Sequence, residues 1–315
     1  MHQETGQRAT PSQARAAAQP GEGGVAGREA PTAARMRLGA QLRHLREAAK
    51  ISRQDAADAL RASASKITRL ELGRTGIKSR DLADLLRLYG TDAAERESAM
   101  ALARAGNDRG WWRDYGDAMA GWRQTYVGLE QSAIVIRGYE PRFVPELFQT
   151  PRYARALLTG MSDSFPPHGD IYGNADKTER HAAVLARRQR ILRREDSPHV
   201  WMVLDEGALR RPVGGPEIMR EQLGHLIDVA RLTHVNIQVL PLRAGGHIPG
   251  GPVVLLRFPG ERLPDVACLE HSAGAVYPSR PEEVAFYWDV LNQLATKAVP
   301  PDGSIAILER LRPEC

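Results

Sequence analysis

The chain has 315 residues, 42% of them apolar, enough for two domains or one large one. No run of 18 apolar residues occurs, so no membrane-spanning helix is expected. Two cysteines, Cys268 and Cys315, cannot build a disulfide framework or a four-ligand zinc site of their own. The formal charge is +5, and only Lys50, Lys66, Lys78, Lys177 and Lys297 of the 43 basic residues are lysines, a bias of the kind a GC-rich genome produces. The N-terminus has no basic stretch followed by an apolar core, so it does not read as a secretory signal, and a cytoplasmic protein is expected.

In residues 1–34, nine Ala, five Gly, four Gln and three Pro make up 21 positions, and no apolar face repeats. Such a segment cannot offset its ordering entropy, so a disordered tail is expected there. Met36 stands where structure should begin and offers an alternative translation start. From Arg35 to about Ala105 the pattern is that of five short amphipathic helices, a compact all-helical domain over 35–106. Leu38, Leu42, Leu45 and Ala49 share one face of the first. Ser52 with Asp55 forms a capping box before Ala56, Ala57 and Leu60, and Ser63 caps a third helix that buries Ile67 and Leu70 and ends near Gly73. Leu82, Leu85, Leu86 and Tyr89 stripe a fourth helix, closed by Gly90, and a fifth runs from Asp92.

Gly106, Asn107, Asp108 and Gly110 punctuate the chain, and Trp111, Trp112, Tyr115, Trp122 and Tyr126 then crowd one short stretch. These aromatics read as core and inter-domain packing, with a partner-docking surface as the rival reading. Beyond them, strands are expected at Ala133–Ile136, Val200–Leu204, Val235–Leu240, Val253–Phe258 and Val266–Leu269. Helices are expected at Pro151–Leu158, Asp176–Arg194, Pro216–Leu232 and Pro281–Lys297. The fold class is therefore α+β overall: an all-α N-terminal domain, then a mixed α/β domain over 110–315.

Ser52 to Gly73 carries the functional argument. Two short helices meet at a tight turn, Arg61-Ala62-Ser63, which is the geometry that lays a second helix in the major groove of double-stranded DNA. Over 35–80, twelve Lys/Arg face four acidic residues, a local net charge of +8, so the rest of the chain is net −3. The residues Leu42-Arg-x-Leu45-Arg46, Ile51-Ser52, Ala56-Ala57, Leu60 and Ile67-Thr-Arg-Leu-Glu-x-Gly73 resemble the Xre/phage-repressor-like helix-turn-helix family. The resemblance covers about Leu38–Tyr89. It implies a recognition helix over about Ser63–Leu72, with Ala64, Ser65, Lys66 and Thr68 facing the groove beyond the Ser63 cap. Arg69 lies beside them, free for DNA or paired with Glu71 or a neighbouring acid. Arg43, Arg53, Arg74 and Lys78 complete the expected DNA-binding set as backbone contacts. Two positions depart from the family. Arg53 stands where Gln is usual, and Arg61 replaces the turn glycine, at a cost of about 1 kcal/mol if its φ is positive.

Further on, Trp111-Trp112-x-Asp114-Tyr115, Tyr126-Val-x-Leu-Glu130, Ile136-Arg-x-Tyr139-Glu-Pro141, Val144-Pro145-x-Leu-Phe-Gln149-Thr150 and Tyr153-Ala-Arg155-Ala are similar to an uncharacterised domain of actinobacterial regulators. That resemblance implies a regulator, often encoded beside a small protein that it binds or antagonises. Other stretches read more plainly. Arg187, Arg188, Arg190, Arg193 and Arg194 form the exposed face of a helix whose other face holds Val184, Leu185, Ile191 and Leu192. Cys268-Leu-Glu270-His271 splits across two strand faces, and His168, Asp170 and His181 lack ligand spacing, so no metal is expected. The glycine run 245–251 is a loop that could cradle an anion. No nucleophile elbow, Walker motif or dinucleotide fingerprint occurs, so neither an enzyme nor a cofactor is expected. The expectation is a dimeric DNA-binding transcriptional regulator whose C-terminal domain docks a partner protein or effector. The alternative is an antitoxin-like interaction protein that binds a small partner and regulates its own gene.

Overall fold

Pro31 opens the first helix, where its missing N–H is one of the donors a helix leaves unpaired in any case. The computed structural model describes residues 30–164, 175–244, 251–260, 263–271 and 274–314. Helix α1 (Pro31–Ala48) therefore starts four residues before Arg35, and of the described part of the expected tail, residues 30–34, Ala30 is extended and Pro31–Ala34 are helical. Residues 1–29 lie outside the described residues, as do His168, Asp170, Cys315 and nearly all of the glycine run. Leu38, Leu42 and Leu45 are buried as their spacing predicts, whereas Ala49 follows the helix and is exposed.

Helix α2 (Arg53–Ala59) begins with both halves of the capping box: the Asp55 N–H donates to Ser52 Oγ and the Ser52 N–H to the Asp55 carboxylate. Helix α3 (Ala64–Glu71) starts at Ser63, whose hydroxyl accepts the Lys66 N–H. Helices α4 (Ser79–Leu88) and α5 (Ala93–Asn107) follow, the latter with its own Asp92–Glu95 capping box. Arg61 turns the chain between α2 and α3 at φ 51°, so the strain foreseen for a residue other than glycine is present. Gly73 and Gly90 end α3 and α4 at positive φ. The helices close on a core of Leu38, Leu42, Ala56, Ile67, Leu82 and Leu86.

The second domain is a six-stranded sheet between helical layers. Its elements are a 3-10 turn Trp111–Tyr115, α6 (Gly121–Glu130), β1 (Val135–Glu140), α7 (Pro151–Ser164), α8 (Ala175–Gln189) and β2 (His199–Asp205). Then come α9 (Glu206–Arg210), α10 (Pro216–Ala230), β3 (Val235–Leu240), β4 (Val253–Arg257), β5 (Val266–His271), β6 (Gly274–Val276), α11 (Pro281–Lys297) and α12 (Pro301–Glu314). The strand order is β3-β2-β1-β4-β5-β6, with β1, β2 and β3 parallel and the other pairings antiparallel. One sheet face carries Ile136, Met202, Leu204 and Ile237 against Phe148, Leu223 and Leu308. The other carries Tyr139, Val203, Leu240 and Leu255 against Val284, Leu291 and Leu294 of α11. Expected helices at Pro151 and Pro281 start where predicted, and β3 matches in full. The expected helix Asp176–Arg194 stops at Gln189 and continues as the 3-10 turn Arg190–Arg193. The first strand begins at Val135, because Ala133 still belongs to the turn that ends α6.

Helix α1 belongs to both domains. Ala33 lies in the core beneath the sheet, and Ala30 packs with Trp112, Met119, Val127 and Val184. The Ala30 N–H donates to Ser132 Oγ at 2.9 Å, and Thr32 sits on Gly128 so closely that a side chain there would overlap it. The buried Trp112 thus joins the domains, as the aromatic cluster led us to expect. About two helix turns further on, Gly39 lets α3 approach: a Cβ on Gly39 would lie 2.6 Å from the carbonyl oxygens of Leu70 and Glu71. Gly39→Ala pits a helix-propensity gain of up to about 1 kcal/mol against two rigid backbone clashes. We expect the clash to win and the protein to lose about 1–3 kcal/mol in urea unfolding. Gly121→Ala, at a position with open space around it, should be neutral or stabilising. A stabilised Gly39→Ala protein would show that the helices cross less tightly than described.

Candidate nucleic-acid interface

The inner face of α3 is apolar except for one carboxylate. Ile67 and Leu70 enter the core, and beside them the Glu71 side chain is 3% exposed. Burying a charge is costly unless it is paired. Arg46 of α1, itself 7% exposed, supplies the pair: its Nε and Nη2 donate to the two Glu71 oxygens, the second at 3.2 Å. Arg46 Nη1 also donates to the Ile51 carbonyl at 3.0 Å, tying the α1–α2 connection into the same knot. The hydrogen bond to Glu71 holds the Arg46 guanidinium above its ordinary pKa. Arg53, at the start of α2, donates its Nε to the remaining side of Glu71 at 3.1 Å while staying 46% exposed. One buried carboxylate therefore registers α1, α2 and α3, and holds Arg53 at the surface.

The outer surface carries the predicted residues. Ser63 and Ser65 are exposed at the start of α3, Ala64 is half-buried beside them, and Arg69 is exposed one turn on. Arg69 donates to Ser65 Oγ at 3.2 Å, not to Glu71, whose oxygens Arg46 and Arg53 already occupy. The Thr68 hydroxyl donates back to the Ala64 carbonyl at 3.1 Å, which leaves its oxygen and methyl as the groups it can present. Lys66 is half-buried, and its Nζ lies 2.8 Å from Asp81 of α4. Sequence reasoning placed Lys66 against bases without foreseeing that partner. On α1, Arg43 pairs with Glu47 at 2.9 Å. The Arg43 hydrogen bond, helped by Arg46 and Arg53, holds the Glu47 carboxyl below its usual range. Arg74, just past α3, and Lys78, which precedes α4, are exposed. The structure thus gathers Ser63, Ala64, Ser65, Lys66, Thr68 and Arg69 on α3, with Arg43 and Arg53 near Glu47. The sequence reading assigned Arg46 and Asp81 no role, and Glu71, offered there as a partner for Arg69, pairs with Arg46 and Arg53 instead.

Elsewhere one reading needs correction. The five arginines after Val184 are not all on an exposed face: Arg188 is buried, with Nε and Nη2 on the two Glu130 oxygens at 2.8 Å each and Glu146 as a further partner. Arg187, Arg190 and Arg193 are exposed as expected, and Arg187 stacks on Trp111 at 4.7 Å. Burial, with the Arg123 and Arg188 cations nearby, pushes His181 down to about 3 and keeps it neutral. Burial likewise pushes the Cys268 thiol up to about 12. Among the described residues no three His, Cys, Asp or Glu side chains gather as a metal site, and no helix is long and apolar enough to cross a membrane.

This is a helix-turn-helix DNA-binding domain joined to a mixed α/β domain, and the helix-turn-helix domain profile matches residues 37–99. The second domain places the whole: residues 123–310 match the family described as Domain of unknown function (DUF5753), and the chain belongs to that family. No curated protein and no solved structure matches the chain.

Removing the Glu71 carboxylate strands Arg46. Glu71→Ala should cost about 3–5 kcal/mol in urea unfolding, whereas Arg46→Met combined with Glu71→Leu should recover most of it. A single substitution costing under about 1 kcal/mol would mean that the pair is solvated and does not register the helices.

Proposed function

We propose that the protein is a sequence-specific transcriptional regulator of the Xre type, of the kind found in actinobacteria, acting in the cytoplasm and at the nucleoid on double-stranded DNA. The carrying observation is the exposed outer face of α3, with Ser65, Lys66 and Arg69 on a helix whose inner face is locked to α1 by Arg46 and Glu71. In this reading α3 enters the major groove, while Arg43, Arg53, Arg74 and Lys78 neutralise phosphates. Lys66 leaves Asp81 for guanine O6 and N7; the pair is half-exposed and open to solvent screening, so breaking it costs less than the roughly 1–3 kcal/mol a good base contact returns. The protein works as a homodimer on a pseudo-palindrome with half-sites about one helical turn apart. It catalyses nothing and needs no cofactor. Its C-terminal domain docks a partner, such as a small protein encoded nearby, and passes that event to the DNA-binding domain through the shared helix α1.

The test begins with a site selected from a random duplex pool by the full-length protein, followed by fluorescence anisotropy. Lys66→Ala should cost about 1–3 kcal/mol at one base pair per half-site and little on random DNA. Arg53→Ala should weaken binding to all duplexes alike and flatten the log–log salt slope by about one unit. Failure to enrich any site would overturn sequence-specific recognition. Equal losses on selected and random DNA for Lys66→Ala would make it a phosphate contact.

A further inference from the structure

One sheet face is only half covered. Helix α11 lies over the row Gln238–Val203–Tyr139–Val253, but one step earlier the register sets Asn236 beside Trp201, Trp201 beside Arg137 and Arg137 beside Leu255. There the surface holds alternating rings and cations. The Arg137 guanidinium lies 4.5 Å from the Trp201 ring centre and 5.2 Å from that of Trp288, and Arg257 lies 4.6 Å from Trp288 on the same side chain. Each ring is pinned by its N–H: Trp201 donates to Gln238 at 2.6 Å, and Trp288 to Asp265 at 3.0 Å. Gln238 is fixed in turn by donating to the carbonyls of Ala295 and Val299.

The two arginines differ in one respect. Arg257 is compensated, with Nε and Nη2 on Asp265 at 3.1 and 3.0 Å. Among the described residues Arg137 meets no carboxylate: its polar partner is the Asn292 side-chain oxygen at 2.8 Å, and its nearest charge is the like charge of Arg257. Half-burial and that neighbour both disfavour its charged form. A preorganised, uncompensated guanidinium between two indoles resembles the Arg and Trp anchors that carry most of the energy in protein interfaces. Trp201, 36% exposed, adds apolar surface at this end of the sheet.

We propose that this face is a docking site for an acidic segment of a partner protein, with a carboxylate seated on Arg137 and an apolar neighbour on Trp201. Charge complementarity selects the occupant. Nucleic acid is the poorer fit, because bases need bare ring faces to stack on and guanidiniums already cover these. Guanidinium N–H groups match a planar carboxylate two bonds at a time. The site gives the partner-docking part of the proposed function a location, while its test is independent of DNA binding.

The full-length protein, labelled with ¹⁵N in its five tryptophans, is titrated with an acetylated, amidated peptide of alternating Leu and Glu, and the indole N–H signals are followed. The same peptide with Gln for Glu, and an oligothymidylate, are the controls. Trp201 and Trp288, assigned through Trp201→Phe and Trp288→Phe, should shift saturably with a Kd of about 1 mM or tighter, while Trp111, Trp112 and Trp122 stay in place. Arg137→Gln should weaken binding about tenfold, and Arg137→Lys should also weaken it by losing the planar fork. Unmoved Trp201 and Trp288 signals, equal shifts with the Gln peptide or the oligothymidylate, or full binding by Arg137→Gln would each overturn the proposal. If the selected duplex binds but the Glu peptide does not, the docking site falls and the regulator stands; the converse result removes DNA recognition alone.

Discussion

A carboxylate buried between two arginines fixes where the second helix of the helix-turn-helix, α3, points. Left unpaired, Glu71 would be one of the costliest groups in the N-terminal domain, so α3 can dock only where Arg46 meets it. The apolar contacts of Ile67 and Leu70 supply the larger driving force but tolerate small slides along α1. The two-point hydrogen bonding does not, and the Gly39 crossing brings the helix backbones into contact at the same place. Arg53 shares the carboxylate from the solvent side, so the element that specifies helix register also positions a surface cation.

The same constraint extends into the second domain. Helix α1 spans about 27 Å and is held at one end by Ala30, Thr32 and Ala33 against α6 and Trp112, and near the other by Arg46. Close approaches at Gly128 and Gly39 leave little slack at either grip. In the proposed function, α1 is the element through which a displacement of α6 would reach α3. The helix start at Pro31, ahead of the predicted Arg35, is what makes that connection.

Much of this was legible in the sequence, for identifiable reasons. The capping box at Ser52 and the Leu38-Leu42-Leu45 stripe are local signals, and both helices form as read. The turn position of Arg61 followed from the resemblance to a family with glycine there, and its φ is indeed positive. The expected strands were runs of apolar residues, and five strands lie at or within a few residues of them. What escaped was either short or non-local. The strand β6 has three residues, and α9 has five. The helix α6 hides its apolar face among aromatics, and α12 begins only three residues beyond α11. The partnerships of Glu71 with Arg46, Lys66 with Asp81 and Arg188 with Glu130 join residues 15 to 58 positions apart, and no periodicity reports them. Arg188 was therefore read as one more solvated arginine in a basic run.

In the proposed function the first turns of α3 face base edges in the major groove. Dimethyl sulfate footprinting of the full-length protein on its selected duplex reads this directly, because the reagent methylates guanine N7 in the major groove and adenine N3 in the minor groove. Guanine N7 positions should be protected in two half-sites about one helical turn apart, with one guanine per half-site regaining reactivity in Lys66→Ala. Protection confined to adenine N3, or a guanine pattern unchanged by Lys66→Ala, would contradict it.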